Sequence, residues 1–497
     1  MFSKIINGGI NMRYLQKRKK IFLSVMLTFL FVFTIGSAVG AECTMLIVGK
    51  NATEDGSILV ARNEDFYPNN AKHLKINESK SYKKGETIKS INGLEWNLPE
   101  KTHKYISVEE YNTDYGRFHE TAINSKFVGI SATTTTSQNE KAAEADPLVK
   151  DGLGENILTT IVAQRADSAK EGIKLIGKII EKKGASETFG VAVADKKEVW
   201  YLENGGGHHW VAVRIPDDKY FVGANAMRIG EVDLDSQNYM GSEDLIDFAI
   251  ENNLYNPDTD GEFDFAKAYG TAKDYKDYNY IRVWGGYDFF TPSGDFDAEE
   301  KNYPMFAEAD EKISAADAKE FMRYHYQGTK YDTYGNDSGE RGVGTSSTIE
   351  SHVMQLKGWL PVEIGGIQWV SISTPLASPY IPYYHGITEI PEEYQIANSQ
   401  YDDESAFWAF RSVANFALNN YEEIGKDVRS DWEKFENKQY KIVDDIEAMA
   451  YKLYRDGKKD EAQELLTSYS NGQALRALHK AYNLRDEMMT NFSKDLP

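Results

Sequence analysis

The sequence predicts an α+β protein, and three features of the 497-residue chain support this prediction. Short β-rich runs separated by turn residues occupy residues 44–62 and 189–224. Two segments with helical periodicity lie between them, within residues 156–183. From about Tyr401 onward, apolar residues recur at helical spacing. Because 41% of the residues are hydrophobic and 27% are charged, the chain can bury a core.

The first predicted element is a hairpin. Residues 44–49 and 57–62 are both rich in β-branched and apolar residues, and Glu54-Asp55-Gly56 between them is a typical hairpin turn. The hairpin brings residues 62–65 (Arg-Asn-Glu-Asp) back beside Cys43, which precedes the first strand.

The next elements are two helices and four strands. Helices are predicted over residues 156–164 and 168–183, the second ending at Gly184 as a C-cap. Strands are predicted at 189–194, 198–203, 210–215 and 220–224. Helices layered on sheets are the arrangement that buries the apolar faces of both.

The remainder of the chain divides into two regions. Residues 233–345 are rich in Tyr and Asp, with few strand or helix signals, so loops and insertions on the substrate side are predicted there. Residues 401–497 are predicted to form a helical extension packed on the domain of residues 43–400, with its last two helices at about 460–470 and 474–489. A helix-on-helix homo-oligomer contact is the open alternative.

Composition and motifs exclude several classes of function. The formal net charge is −21 with no Lys/Arg-rich stripe, which argues against a nucleic-acid partner. The only cysteine is Cys43, so a disulfide framework and a thiolate-rich metal site are excluded. There is no H-E-x-x-H, G-x-S-x-G or Walker A motif. We therefore expect neither a catalytic metal nor a cofactor.

Residues 1–41 have the pattern of an export signal. A basic segment is followed by an apolar run from residue 21 to 35 and by small residues ending at Ala41. Cleavage after Ala41 leaves Glu42 as a one-residue propeptide, and the chain from Cys43 onward carries 50 basic and 76 acidic residues, a net charge of −26. A secreted or cell-surface protein with no stable membrane association is predicted, and a retained membrane anchor is the alternative.

Cys43 lies two residues after the predicted cleavage point and has three interpretations. It is a small buried hydrophobe, a lipoprotein cysteine, or an N-terminal nucleophile. Glu42 argues against lipidation, which needs a small residue directly before the cysteine. An N-terminal cysteine carries its own base, because the α-amine has a reference pKa of ~7.7–8.0 beside a thiol of ~8.5. We favour the third interpretation.

The motifs around Cys43 are those of a known family. The sequence resembles the secreted dipeptidase A family (peptidase family C69) of the N-terminal nucleophile hydrolases, and it is similar to bile salt hydrolases and penicillin V acylases. The resemblance implies an αββα sandwich of two stacked antiparallel sheets. The matching segments run in order from Cys43 to near the C-terminus and include residues 43–50, 61–65 (Ala-Arg-Asn-Glu-Asp), 129–136, 152–155, 208–210, 224–229 and 380–384.

The resemblance also implies roles for particular residues. Cys43 matches the nucleophile, Arg62 the arginine beside it, Asp65 the aspartate that holds the α-amine, and Asn225 the side-chain donor of the oxyanion hole. A second oxyanion donor is expected from the backbone near residues 134–136. Arg228 is a candidate for gripping the substrate carboxylate in a bidentate fork. For each of these residues a surface ion pair, a turn or a cap is the structural alternative.

The function that follows is hydrolysis of dipeptides by a secreted cysteine peptidase through a thioester intermediate. One alternative is an acylase of the bile salt hydrolase or penicillin V acylase kind, which shares the machinery but has a more apolar pocket. The other is a membrane-anchored binding protein in which Cys43 is inert.

Overall fold

The computed structural model describes residues 43–111, 117–271, 277–300, 302–335 and 338–494. The predicted signal segment 1–41 and the predicted propeptide residue Glu42 lie outside the described residues. The strands in these ranges are β1 (Thr44–Val48), β2 (Ile58–Asp65), β3 (Lys72–Asn77), β4 (Thr87–Lys89), β5 (Glu95–Asn97), β6 (Tyr105–Glu110), β7 (His119–Asn124), β8 (Gly129–Thr135), β9 (Phe189–Ala194), β10 (Val199–Asn204), β11 (Trp210–Arg214), β12 (Tyr220–Gly223), β13 (Tyr239–Gly241), β14 (Thr348–Leu356), β15 (Gly366–Ile372) and β16 (Ile381–Tyr384).

The strands form two large antiparallel sheets and one short hairpin. The six-stranded sheet has the order β12-β1-β2-β14-β15-β16, and the eight-stranded sheet has the order β13-β11-β10-β9-β8-β7-β6-β3. β4 and β5 pair with each other. The predicted N-terminal hairpin is the β1–β2 pair, but β2 continues three residues beyond the predicted end at Arg62. As a result, the segment 62–65 lies within a strand.

The helices in the described ranges cover the sheets. They are α1 (Glu140–Ala145), α2 (Glu155–Ala163), α3 (Ala169–Lys183), α4 (Leu245–Glu251), α5 (Phe265–Tyr269), α6 (Asp277–Phe290), α7 (Ala315–Met322), α8 (Val362–Gly365), α9 (Ala406–Asn419), α10 (Lys426–Arg455) and α11 (Lys459–Lys494).

Successive side chains along a strand point to opposite faces of the sheet, so each side chain packs in one of three layers. Met45 and Ile47 of β1 point between the sheets and pack with Tyr201 of β10. Their neighbours Leu46 and Val48 point to the opposite face, where α6, α7 and α9 cover the six-stranded sheet. Helices α2 and α3 cover the outer face of the eight-stranded sheet in the same way. The predicted αββα sandwich is confirmed.

Two of the predicted helices begin and end close to the expected residues, and in one of them both caps are explicit in the sequence. In α3, the Ser168 hydroxyl accepts a hydrogen bond from the Glu171 N–H, and Gly184 ends the helix with a φ of 77°. Helix α2 begins one residue before its predicted start.

The loop prediction for residues 233–345 is wrong, because this region contains α4 to α7 and β13. Helix α6 carries Gly285 and Gly286, which disfavour a helix by propensity. Packing requires the second glycine, since a Cβ on Gly286 would lie 2.4 Å from Val222 Cγ2 of β12. The close approach of α6 to the sheet therefore decides its conformation.

The prediction of two separate helices at 460–470 and 474–489 is also wrong. The structure has one 36-residue helix, α11, that passes straight through Gly472. A glycine inside a helix costs about 1 kcal/mol relative to alanine, an amount that packing readily offsets. Leu466, Ala474 and Leu478 form one buried face of α11 on both sides of that glycine.

The C-terminal helices pack on the sheet at several points. Trp432 of α10 is fully buried and its indole N–H donates to Ala377 O at 2.8 Å. Glu447 of α10 forms an ion pair with Lys357 at 2.7 Å and accepts a hydrogen bond from the Tyr384 hydroxyl at 3.1 Å. The described residues belong to one compact unit, and no helix among them is long and apolar enough to cross a bilayer.

Candidate active site

Cys43 and Arg62 are in direct contact between the two sheets. Cys43 directly precedes β1, and Arg62 lies opposite Met45 on the neighbouring strand β2. Both side chains are fully buried, and Arg62 Nη2 lies 3.1 Å from Cys43 Sγ. The hairpin therefore places a guanidinium against the sulfur, as the sequence predicted.

Three further contacts fix the Arg62 guanidinium. Its Nε donates to Thr133 O of β8 at 2.8 Å, and Nη1 bonds Glu120 Oε2 of β7 at 2.8 Å. Nη2 also bonds Glu155 Oε1, at the first residue of α2, at 3.0 Å. The arginine, which extends from the six-stranded sheet, is thus held by the eight-stranded sheet and by a helix.

Sequence reasoning did not identify Glu120 or Glu155 as part of the site. Glu120 follows a histidine that forms no metal motif, and Glu155 ends the segment 152–155, which matches the family but has no role assigned from the sequence. The detectable signal was a glutamate on the buried strand β7, since a buried carboxylate needs a cationic partner.

The surroundings of Cys43 keep its thiol protonated in this chain, in which a peptide bond joins it to Glu42. Burial raises the pKa of the Cys43 thiol to about 12, although Arg62 lowers it, and the nearby Glu155 carboxylate raises it further. Burial also opposes ionisation of Glu120, but Lys72 and Arg62 outweigh it and hold the pKa of Glu120 at about 2. Glu120 is therefore the permanent counter-charge of the arginine.

Lys72 of β3 extends the charge network away from Cys43. Its ammonium lies 2.8 Å from Glu120, 3.1 Å from Glu64 and 3.9 Å from Glu110. Burial and the Glu120 charge hold the pKa of Glu64 well above its usual range. Burial likewise raises the pKa of Glu155 to about 7, against the effect of Arg62.

Asp65 lies on the opposite face of β2 from Arg62, since the two are three positions apart along one strand. Arg341 Nη2 lies 2.6 Å from Asp65 Oδ2, and the Thr348 hydroxyl donates to Oδ1 at 2.5 Å. Burial raises the pKa of Asp65, while Arg341 lowers it. The Asp65 charge is close enough to raise the pKa of the Cys43 thiol.

Asn225 is joined to Cys43 through Arg282 of α6. Arg282 Nη1 donates to Cys43 O at 2.8 Å, and Nη2 donates to Asn225 Oδ1 at 2.9 Å. Asn225 Nδ2 donates to Thr135 O at 3.0 Å, within the segment expected to supply a second oxyanion donor. Arg282 was missed because it lies in the region predicted to be loops.

Arg228 is placed differently from the other predicted residues. Its guanidinium donates to Pro304 O at 2.7 Å and to Tyr303 O at 3.4 Å, while its N–H donates to Glu203 at 2.7 Å. None of the hydrogen bonds described for it reaches Cys43, Arg62 or Asn225. The sequence grouped Arg228 with the site, but the structure brings together Cys43, Arg62, Asn225 and Arg282.

His208 and His209 both contact one carboxylate. Their Nδ1 atoms lie 2.9 Å and 2.8 Å from the two oxygens of Asp146, and both backbone N–H groups donate to its Oδ2. This arrangement braces the turn before β11.

The fold and site define an αββα protein with a buried cysteine and arginine at the start of its first hairpin. Residues 42–434 match the model of peptidase family C69, and the chain belongs to that family, whose members are peptide hydrolases. A probable dipeptidase from Salmonella dublin is 41% identical over 363 residues, which is 72% of this chain and 84% of that protein.

Two other comparisons extend over similar lengths. A probable dipeptidase B from Streptococcus pyogenes serotype M1 is 32% identical over 452 residues, 86% of this chain and 90% of that protein. A crystal structure of a variant of conjugated bile acid hydrolase from Clostridium perfringens is 14% identical, covering 69% of this chain and 92% of that one, with a TM-score of 0.28.

Proposed function

We propose that this protein is a cysteine dipeptidase in which Cys43 becomes the N-terminal residue and attacks the peptide bond of a dipeptide. The observation that carries the proposal is the Arg62 guanidinium, fixed by Thr133, Glu120 and Glu155 at 3.1 Å from Cys43 Sγ. A fixed cation at that distance stabilises a thiolate. The names of relatives from three bacterial genera support the dipeptide as substrate.

The mechanism requires the peptide bond between Glu42 and Cys43 to be broken. The new α-amine, with a reference pKa near ~8, removes the proton from Sγ as the sulfur attacks the carbonyl carbon. Collapse of the tetrahedral intermediate breaks the C–N bond, and the protonated amine returns its proton to the leaving amino acid. Water, deprotonated by the same amine, then hydrolyses the thioester.

The other predicted residues have defined tasks in this scheme. Asn225 Nδ2 stabilises the oxyanion, a contribution of ~3–4 kcal/mol to the barrier for such a donor. Arg282 holds the Asn225 side chain through its Oδ1 and holds Cys43 through its carbonyl. Asp65, itself fixed by Arg341 and Thr348, holds the α-amine. Arg228 is the candidate ligand for the substrate carboxylate.

Export and processing are part of the proposal. Residues 1–41 direct secretion and are removed, and Glu42 is then trimmed by the protein itself or by another peptidase. Until then, the α-nitrogen of Cys43 is an amide and has no basic lone pair. The precursor is therefore inactive, and the processed protein is secreted or displayed at the cell surface.

The test combines the N-terminus with a variant. Protein recovered outside the cell is analysed by N-terminal sequencing and intact mass, and we expect a chain beginning at Cys43 that hydrolyses dipeptides. Cys43→Ala, expressed without residues 1–42, should lose at least about 10³-fold in kcat with its thermal unfolding unchanged. Native activity in that variant would overturn the mechanism, and hydrolysis of penicillin V or a bile-salt amide in place of dipeptides would favour the acylase.

A further inference from the structure

A cavity of about 440 Å³ adjoins the charge network of Arg62. Three of its lining residues are glutamates of that network, Glu64, Glu110 and Glu155. Four others are aromatic and come from the ends of β2, β6 and β7: Phe66, Tyr67, Tyr111 and Phe118. The cavity therefore combines apolar walls with an acidic end, and it is large enough for an amino-acid residue.

The acidic end lies within reach of the bond that Cys43 would attack. Glu155 Oε1 is no more than about 6 Å from Cys43 Sγ, because Arg62 Nη2 lies 3.0 Å from the first atom and 3.1 Å from the second. In a dipeptide, the α-nitrogen is two bonds, about 2.5 Å, from the scissile carbonyl carbon. A carbonyl carbon in attack position, about 3–3.5 Å from the sulfur, allows the α-nitrogen to lie at hydrogen-bond distance from Glu155.

If every ionisable group were charged, the network beside the cavity would carry an excess of negative charge. Two cations, Arg62 and Lys72, face four carboxyl groups, those of Glu64, Glu110, Glu120 and Glu155. Buried carboxylates in excess of their cations are unfavourable.

The directions of the pKa shifts of these carboxyl groups agree with the excess of negative charge. Burial raises the pKa of Glu64, Glu110 and Glu155, so without a further cation the carboxyl groups take up protons. A bound ammonium group would replace those protons as the compensating charge.

We propose that this cavity binds the N-terminal residue of the substrate, with its α-ammonium on Glu155, Glu110 and Glu64 and its side chain against the aromatic wall. The inference rests on the proposed function and specifies its substrate class: dipeptides with a free α-amine and an apolar first residue. The cavity thereby distinguishes a dipeptidase from an acylase, whose substrate has no charge at this position.

The first test needs no variant. Processed protein beginning at Cys43 is assayed with leucyl-alanine and with N-acetyl-leucyl-alanine, which differ only in the charge and size of the amino group. We expect kcat/KM for the acetylated substrate to be at least about 100-fold lower. Equal rates on both substrates would overturn the inference and leave the cysteine mechanism standing, whereas hydrolysis of leucyl-alanine by Cys43→Ala at the native rate would overturn the proposed function itself.

The second test removes one carboxylate. Glu110→Gln should raise KM for leucyl-alanine about tenfold with kcat within about threefold, because Glu110 has no described contact with Arg62 or Cys43. The selectivity for the free amine over the acetylated substrate should fall by a similar factor, which a purely structural defect would not produce. Glu95→Gln, an exposed glutamate paired with Lys89 at 3.2 Å, is the matched control.

Direct binding provides a measurement that does not depend on Glu110→Gln folding. Cys43→Ala titrated with leucyl-alanine and its acetylated form in a calorimeter should bind only the former. Binding of both with equal affinity would contradict the assignment of the cavity to the α-ammonium group.

Discussion

Arg282 connects two parts of the candidate site that come from distant parts of the chain. Its guanidinium spans Cys43 O and Asn225 Oδ1 and also binds Asn279 Oδ1 at 2.7 Å. A guanidinium presents its donors in a rigid plane, whereas a lysine ammonium is a point charge on a flexible stem. Arg282 therefore sets the distance between the sulfur that attacks and the amide that receives the oxyanion.

Replacing the guanidinium of Arg282 tests its role in positioning Cys43 and Asn225. Arg282→Lys in the processed protein should lower kcat for dipeptides about 100-fold with KM within about threefold, because positioning of the nucleophile is lost while the substrate cavity is unchanged. Steady-state kinetics and urea unfolding separate this effect from misfolding. Arg228→Lys is the matched control, because the Arg228 guanidinium contacts main-chain carbonyls. A rise in KM without a fall in kcat in this variant would assign Arg228 to the substrate carboxylate. Native kcat in Arg282→Lys would rule out the positioning role.

The protonated thiol of Cys43 predicts low reactivity in the unprocessed chain. The pKa of about 12 leaves almost no thiolate at pH 8, and the sulfur is fully buried. Iodoacetamide should therefore alkylate the full-length chain at least tenfold more slowly than free cysteine, as followed by intact mass. After removal of residues 1–42 the rate should rise, because the free α-amine accepts the thiol proton. Precursor alkylation as fast as that of free cysteine would contradict this account.

At the scale of single elements, two helical glycines predict opposite effects of alanine. Gly286→Ala places a Cβ 2.4 Å from Val222 Cγ2, so α6 must move from β12, and we expect destabilisation of about 1–3 kcal/mol. Activity should fall as well, because α6 carries Arg282. Gly472→Ala in α11 meets only the Arg476 side chain, whose Nη1 is the nearest atom at 3.5 Å, and should stabilise by up to about 1 kcal/mol. Urea midpoints of the two variants measure both effects, and equal shifts would refute the packing argument.

The contrast between local sequence signals and long-range packing explains which elements the sequence could predict. The β1–β2 hairpin and α3 are local: a turn, a Ser168 cap and a terminal glycine are contiguous with the residues they organise. Helix α6 depends on contact with β12, which no window of its own sequence contains. The position of Arg62 beside Cys43 could be predicted from the hairpin. Its partner Glu155 and the distant Arg282 are brought to Cys43 only by the stacking of sheets and helices, which the sequence does not show.

At the scale of the whole molecule, part of the excess negative charge is neutralised because some buried acids keep their protons. The chain from Cys43 onward has a net formal charge of −26. Burial raises the pKa of Glu155 to about 7 against the effect of Arg62, and it raises that of Glu203 to about 7 against the N–H groups of Ile229 and Arg228. Glu109 and Glu120, with stronger partners, have pKa values of about 2.

The raised pKa values of Glu155 and Glu203 predict that these two acids contribute stability near pH 5 that is lost as the pH rises through 7. Glutamates in the unfolded chain titrate near pH ~4.3, so between there and pH 7 the native state retains protons at Glu155 and Glu203 that the unfolded state has released. Each such proton lowers the free energy of unfolding by up to about 1.4 kcal/mol for every unit of rising pH. Below pH 4.5 the sign reverses, since Glu109 and Glu120 bind protons only in the unfolded state.

Urea midpoints of the processed protein at pH 5, 6, 7 and 8, at constant ionic strength, measure this dependence. Relative to the native protein, Glu155→Gln should shift the slope of the midpoint between pH 5 and 7 in the positive direction, because it removes one of the retained protons. An exposed substitution, Glu95→Gln, should leave the slope unchanged. A slope in Glu155→Gln equal to that of the native protein would mean that Glu155 is ionised throughout, and the excess carboxylates beside Arg62 would then already be balanced by the protein itself.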